Sequence, residues 1–387
     1  MSHAKDAARD RLEKARDELI DISHRIHAHP ELGYEEELAS EWLCDYLDGA
    51  GFTVTKGAYA IPTAFVARAG SGPLHLAICA EYDCLPGIGH ACGHNIIAAI
   101  GAGAGVALKD VADDIGATID VIGTPAEEGG GGKIALMEAG AFDGVHAAMM
   151  VHPAPVDVVE PPIIAVAHFD VHYHGKEAHA SAFPELGINA ADAITVAQTA
   201  IGLLRQHIRA TDRIHGIVTK GGEAPNIVPA FASAKYYVRA RTLAELDDLR
   251  PKVERCFEAG ALATGSKLDI QDVGPPYSEM IHDHEIGAIY KRNAQELGRT
   301  FLEMGPLINS SGASTDMGNV SLKIPSIHPL IGIDSLPAVN HQPEFTAHCV
   351  TESADKSIFD GALATAWTAI DVAGDDALRE RLTQGRN

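Results

Sequence analysis

Cys92, His94, Glu128, His152 and His341 offer one thiol, three imidazoles and one carboxylate. That mixture of sulfur, nitrogen and oxygen donors suits zinc, with manganese or cobalt as substitutes. One catalytic zinc takes three protein ligands and a water. Five donors exceed that need, and the surplus implies two metals that share a bridging group. Glu127 and Glu128 are adjacent and need separate roles: one binds metal while its neighbour acts as general base on a water. The glycines at 129–132 follow at once, letting the backbone turn tightly beside a site. Each signal alone is weak. A lone histidine after a strand is more often a hydrogen-bonded structural residue, a lone cysteine a small buried apolar group, and an acidic pair a solvated turn. Only their conjunction carries the metal reading.

Two other readings fail on spacing. The phosphate-loop pattern G-x-x-x-x-G-K-[ST] meets Glu127 at its first glycine and Ile134 after Lys133. The glycines of 101–105 lie inside a helical run, not at a strand–helix turn, so a zinc dehydrogenase built on Cys92 and His94 lacks its dinucleotide loop. A non-catalytic metal-dependent binding module is the rival from another class. The presence of Glu127 beside every ligand position argues against it.

These residues need elements that deliver them to one place. Leu74–Ala80 reads as a buried strand and is followed by Glu81, Tyr82, Asp83, His90, Cys92, His94 and Asn95. Ala117–Gly123 reads likewise and precedes Glu127 and Glu128. A third run, 147–151, ends at His152, and His341 with Glu344 lies near the C-terminus. Ligands of open α/β sheets bind outside the carboxyl ends of the strands. Helices are expected from Leu12, Leu19, Ile22 and Ile26 in the opening segment, then at 35–48, 96–108, 133–139 and 354–373, with a further strand at 63–68. Strands alternating with helices imply a mostly parallel sheet covered by helices on both faces.

The middle changes character. Ala165–His174 alternates as a strand, Asn189 caps a helix to about 209, strands follow at 214–220 and 231–241, then a helix at 244–263 and a strand at 267–273. The order β-α-β-β-α-β is the split-βαβ, ferredoxin-like α+β sandwich. The α/β fold therefore comprises a metal-binding catalytic domain, 1–164 with 276–387, and an inserted lid domain, 165–275.

With 387 residues, 46% apolar and 38 glycines, the chain is compact and long enough for two domains. A formal net charge of −23 argues against a nucleic-acid partner, which would need a basic surface, and disfavours an anionic membrane. The start is charged without a signal-type apolar run, and no run of ~18 apolar residues indicates a membrane span. The six cysteines form no C-x-x-C pair, which points to a reducing cytoplasm. The tail from Gly374 is expected to fray.

The run Ala80-Glu81-Tyr82-Asp83-Cys84-Leu85-Pro86-Gly87-Ile88-Gly89-His90-Ala91-Cys92-Gly93-His94-Asn95 resembles the metal loop of the aminoacylase/carboxypeptidase-like dinuclear metallopeptidases. More narrowly it is similar to the amidohydrolase branch holding β-alanyl-lysine type dipeptidases, N-acyl amino acid deacylases and aminobenzoyl-glutamate hydrolases. The likeness extends in order through His27-Ala28-His29-Pro30-Glu31-Leu32-Gly33, Gly123-Thr124-Pro125-Ala126-Glu127-Glu128-Gly129 and Ala178-His179-Ala180-Ser181. It continues in Ser314-Thr315-Asp316-Met317-Gly318-Asn319-Val320-Ser321 and Asn340-His341-Gln342-Pro343-Glu344-Phe345. It covers nearly the whole chain and is more specific for the family than for the substrate.

The resemblance implies a thiolate ligand at Cys92, able to bridge, with His94, Glu128, His152 and His341 as the other ligands of two divalent ions. It implies Glu127 as base and proton shuttle, and Asp83 behind the ligands, holding the cluster. From the lid it implies His179 as oxyanion stabiliser, often across a dimer, and Asn226 and Arg239 as grips on the substrate carboxylate or carbonyl. It further implies a homodimer through the lid and a small-molecule amide substrate, with β-alanyl or γ-aminobutyryl dipeptides first and N-acyl amino acids or aminobenzoyl-glutamate as alternatives. Many relatives carry aspartate where this chain has Asn95; the dipeptidase-like subgroup also carries asparagine. Pocket walls are expected in the loops 183–187, 275–279 and 301–311.

Overall fold

A computed structural model describes residues 2–303 and 312–384; the expected wall segment 304–311 lies outside the described residues. Contacts divide the chain into two compact units. The first is Met1–Pro162, Met280–Asn309 and Asp316–Asn387; the second is Ile163–Glu279 with Ser310–Thr315.

In the first unit, the strands Leu74–Ala80 and Ala117–Gly123 are runs of apolar and small residues, buried almost throughout. Such runs suit the centre of a parallel sheet covered on both faces. Among the described residues that sheet has six strands, in the order Thr53–Lys56, Phe65–Ala69, Ala117–Gly123, Leu74–Ala80, Ala147–Met149 and Ser326–Ile327. The last four run parallel, and the first two join antiparallel at one edge. The helix His94–Lys109 is buried along all but its last residue, the mark of a helix with neighbours all round. It packs on the strands with one side and on Ser2–Ala28 and Glu352–Gly374 with the other. Leu12, Leu19, Ile22 and Ile26 all lie buried in that core.

Two departures from the sequence expectation have physical causes. The run 147–151 leaves the sheet after Met149: the Met150 and His152 amides turn to the carbonyls of Ile327 and Pro329 at 3.2 and 3.0 Å, and His152–Ala154 pairs with Leu330–Gly332. The tail does not fray at Gly374. Asp375 caps a helix, Asp376–Thr383, that buries Leu378 and Leu382, and Arg381 binds both oxygens of Asp283 at 2.8 and 2.9 Å.

The second unit has the element order β-α-β-β-α-β. Its four-stranded antiparallel sheet runs Lys267–Asp272, Ala165–His174, Phe231–Ala240, Arg213–Lys220. Alternation places Phe169, Val171 and Tyr173 against helices Ala190–Leu204 and Leu243–Thr264. Asn189 caps the first helix, accepting from the Ala191 and Asp192 amides; that helix ends at Leu204, short of the expected 209. Arg205 donates to the Ile214 carbonyl at 3.0 Å, tying the turn to the next strand. Among the described residues no helix is long and apolar enough to cross a membrane.

Two glycines give opposite expectations. At Gly101 a Cβ would lie 2.9 Å from the Ala80 Cβ and 3.1 Å from the Cys79 carbonyl oxygen, so Gly101→Val wedges the helix off the strand that leads to the site. It is expected to lower stability by about 1–3 kcal/mol. Gly202 has nothing within 4 Å of an added Cβ, and Gly202→Ala is expected to stabilise by up to ~1 kcal/mol. Urea-unfolding midpoints test both.

Candidate metal centre

Ala80 stands opposite Gly123 in the parallel ladder, so the segments leaving both strands emerge at one edge. The Thr124 amide donates to the Ala80 carbonyl at 2.8 Å, holding the exits together. The loop after Ala80 re-enters helix at His94 through Gly93, whose φ is +80°. A Cβ there would fall 2.5 Å from Pro153 Cγ, so both the backbone and the space call for glycine. This turn sets Cys92 and His94 side by side with His152. His341, also left-handed at φ +69°, is held by its amide on the Ala91 carbonyl at 2.8 Å.

The donors converge. Cys92 Sγ lies 3.4 Å from His152 Nε2 and 3.4 Å from His341 Nε2. His341 Nε2 is 3.6 Å from Glu128 Oε1, and His94 Nε2 is 3.9 Å from Glu127 Oε2. Cys92, His94 and His152 form one triad and Cys92, Glu128 and His341 another, with ligand atoms of each within 4.8 Å of one another; Cys92 belongs to both. A third triad, Glu81, His94 and Glu127, shares His94.

Hydrogen bonds behind the donors fix which atoms face inward. His152 Nδ1 is 2.8 Å from the Pro153 carbonyl. A carbonyl only accepts, so that nitrogen carries the proton and Nε2 presents its lone pair to the cluster. Asp83 Oδ1 takes His94 Nδ1 at 2.9 Å, and its other oxygen accepts the Glu128 amide at 2.9 Å. Asp83 thus orients one candidate ligand and the backbone of another.

The electrostatics call for cations. Burial, then Glu128, push the Cys92 thiol well up, so thiolate forms only beside added positive charge. Burial holds His152 neutral, with its pKa at about 4. Burial opposes charge on His94, but Asp83 and Glu81 outweigh it and raise its pKa well above the ordinary value. Burial, with Glu81 and Glu128, holds the Glu127 carboxyl high. Among the described residues the buried His94 Nε2 and Glu128 Oε1 have no hydrogen-bond partner. Two divalent ions fit this donor set: they satisfy both atoms and supply the charge that Asp83, Glu81 and Glu128 favour.

Three supporting residues were not singled out from the sequence. Lys133 is wholly buried between Glu81, which accepts from its Nζ, and Asp316, whose Oδ1 accepts at 2.7 Å. Burial opposes its charge, but Asp316 and Glu81 prevail and keep it protonated. Burial, against the pull of Lys133, lifts Asp316 to about 6. Glu36, also buried, accepts the Ala126 amide at 2.7 Å; burial, then Asp83, push its carboxyl up to about 7. In the sequence Lys133 showed only as the lysine before the apolar run 134–137, and Asp316 only as one position of the motif 314–321. Asn95, the point of departure from many relatives, faces away from the donors: its Nδ2 donates to Ser23 Oγ and the Cys349 carbonyl at 2.9 and 3.0 Å.

In the second unit, His179 and Asn226 lie on paired segments. The Ala180 amide donates to the Asn226 carbonyl at 3.0 Å, and Val228 to Ala178 at 3.0 Å. Arg239 lies on the strand Phe231–Ala240. It donates to Ser314 Oγ at 2.8 Å and to His215 Nε2 at 3.3 Å, beside Tyr237.

Comparison with known proteins follows the same outline. The model of peptidase family M20/M25/M40 matches residues 77–360. The chain is similar to the Xaa-Arg dipeptidase of Mus musculus, 39% identical over 96% of this chain and 90% of that protein. It is similar to a p-aminobenzoyl-glutamate hydrolase component of Escherichia coli strain K12, 34% identical over 67% of this chain and 58% of the relative. Its fold matches that of the Bacillus subtilis YXEP protein, described as a dinuclear metal binding peptidase, with a TM-score of 0.68 at 20% identity, covering 92% and 99% of the two chains.

Lys133→Met strands two buried carboxylates and is expected to cost about 3–5 kcal/mol at neutral pH. Burial already lifts Asp316 to about 6 against the pull of Lys133, and removing the cation raises it further, so the folded state binds more protons than the unfolded one. The deficit therefore shrinks as pH falls, which unfolding at pH 8 and pH 5.5 measures. Asn95→Asp faces a carbonyl that it cannot donate to and is expected to lose about 1–3 kcal/mol, by the same assay.

Proposed function

The chain belongs to peptidase family M20/M25/M40 and is a hydrolytic enzyme, and from that premise we propose that it cleaves the amide bond of a small dipeptide or N-acyl amino acid with two divalent metal ions. The observation that carries this reading is the membership of Cys92 in two donor triads. Cys92, His94, Glu128, His152 and His341 hold the ions, zinc first, with manganese or cobalt able to replace it. When bound, the ions lower the pKa of water toward neutrality and polarise the scissile carbonyl.

Glu127 accepts the proton of the attacking water and hands it to the leaving amine. Its carboxylate lies 3.9 Å from His94 Nε2, at the edge of the donor cluster, where a general base belongs. Asp83 keeps His94 and the Glu128 backbone in place. His179 stabilises the oxyanion, and Asn226 and Arg239 grip the substrate carboxylate or carbonyl. The inserted domain acts as lid and as the dimer surface of a cytoplasmic homodimer.

For the substrate, the full-length likeness to a protein named Xaa-Arg dipeptidase supports a dipeptide with a basic C-terminal residue, with β-alanyl and γ-aminobutyryl dipeptides included. The likeness to a p-aminobenzoyl-glutamate hydrolase component supports aminobenzoyl-glutamate as the second choice.

A panel of such dipeptides, N-acyl amino acids and aminobenzoyl-glutamate, read by mass spectrometry, is expected to show cleavage of one class. Chelator abolishes it and zinc, manganese or cobalt restores it. Glu127→Gln is expected to lower turnover by ~10²–10⁴-fold with metal content unchanged. Near-normal turnover in that variant removes Glu127 as the base.

A further inference from the structure

Two buried carboxylates hold the turn that carries Glu127. Asp83 Oδ2 accepts the Glu128 amide at 2.9 Å, and Glu36 Oε1 accepts the Ala126 amide at 2.7 Å. Glu36 and Asp83 are 0% and 1% exposed. The amides they take belong to the residues on either side of Glu127, so the peptide planes before Ala126 and after Glu127 are both fixed.

The Ala126 side of this clamp is the more demanding. Ala126 has φ +56°, a left-handed conformation disfavoured for any residue with a Cβ. Such a conformation persists where its surroundings over-determine it. Here they do. Gly33 packs so closely that a Cβ on it would lie 2.9 Å from the Ala126 Cβ and 3.0 Å from its Cα. Next to it, the Tyr34 hydroxyl donates to the Gly130 carbonyl at 3.0 Å. Glu36 itself occupies the N-cap position of the helix Glu37–Gly49 yet makes no side-chain cap bond. Its carboxylate is turned away from the helix it precedes and toward Ala126. Residues 33–36 thus form a cradle under the 126–130 turn, and Glu36 supplies its buried hydrogen-bond acceptor.

We propose that Glu36 is a positioning residue for the hydrolysis: by accepting the Ala126 amide it holds the left-handed turn that aims the Glu127 carboxylate at the reacting water. The inference rests on the reading of Glu127 as the general base. What matters is an acceptor at this reach. Glu36→Gln keeps one there, Glu36→Asp draws it back by a methylene, and Glu36→Leu removes it.

The test is steady-state kinetics on the metal-loaded enzyme, with metal per chain measured on the same samples and Glu127→Gln run alongside. Glu36→Gln is expected within about threefold of the parent in kcat. Glu36→Asp and Glu36→Leu are expected to lose about 10- to 100-fold in kcat, the scale of a misplaced catalytic group, with KM and metal content unchanged. Should Glu36→Leu not fold, the ordering of Gln above Asp decides alone. Parental kcat in Glu36→Asp, a fall in Glu36→Gln as deep as in Glu36→Asp, or a loss that tracks metal content overturns the inference. Retained turnover in Glu127→Gln sinks the base reading instead; abolished turnover there with normal Glu36→Asp sinks only the positioning role.

Discussion

A thiol, the imidazoles of His94 and His152 and the carboxylates of Glu81, Asp83, Glu127 and Glu128 crowd together where water is largely excluded, with His341 at the exposed rim. Buried charge of one sign is costly unless something opposes it. Lys133 answers for one side, neutralising Glu81 and Asp316 from within the core. Among the described residues no lysine or arginine pairs with Glu128 on the side where it meets Cys92 and His94; only the imidazoles of His94 and His341 face it, at 4.0 and 3.6 Å. Divalent cations are the natural counter-charge there, and a thiol pushed up by burial becomes a ligand only in their presence.

The sheet exists, from this viewpoint, to make that crowding reproducible. In-register parallel strands end at the same level, so two loops rich in donors start from one edge. The helix His94–Lys109 then locks the first loop by burying almost its whole length against strands and helices. Its first residue is a metal-ligand candidate, and packing over sixteen residues sets where that imidazole points. Asp83, Glu36 and Asn95 finish the task locally, each by a buried hydrogen bond to a backbone group beside the site or to the elements behind it.

What was legible in the sequence followed from local pattern. The apolar runs Leu74–Ala80 and Ala117–Gly123, the cap at Asn189 and the alternation of Ala165–His174 are decided by neighbours in the chain, and they read directly. The donor residues stood out because their types are chemically unusual after buried strands. Glu36 and Lys133 did not stand out, because their meaning lies in partners 90 and 183 positions away; without Ala126 and Asp316 in view, each is one more charged residue. The helix Asp376–Thr383 was missed for a similar reason. Its two buried leucines are thin evidence in a charged tail, and its anchor, Asp283, is remote in sequence.

The central claim is that Cys92 is common to two metal sites. Anomalous diffraction from crystals of the zinc- or cobalt-loaded protein tests it most directly. The account predicts two ions per chain, both with Cys92 Sγ at about 2.3 Å, the usual zinc–thiolate distance, one completed by His94 and His152 and the other by Glu128 and His341. A single ion, or two ions of which only one touches Cys92, would contradict it.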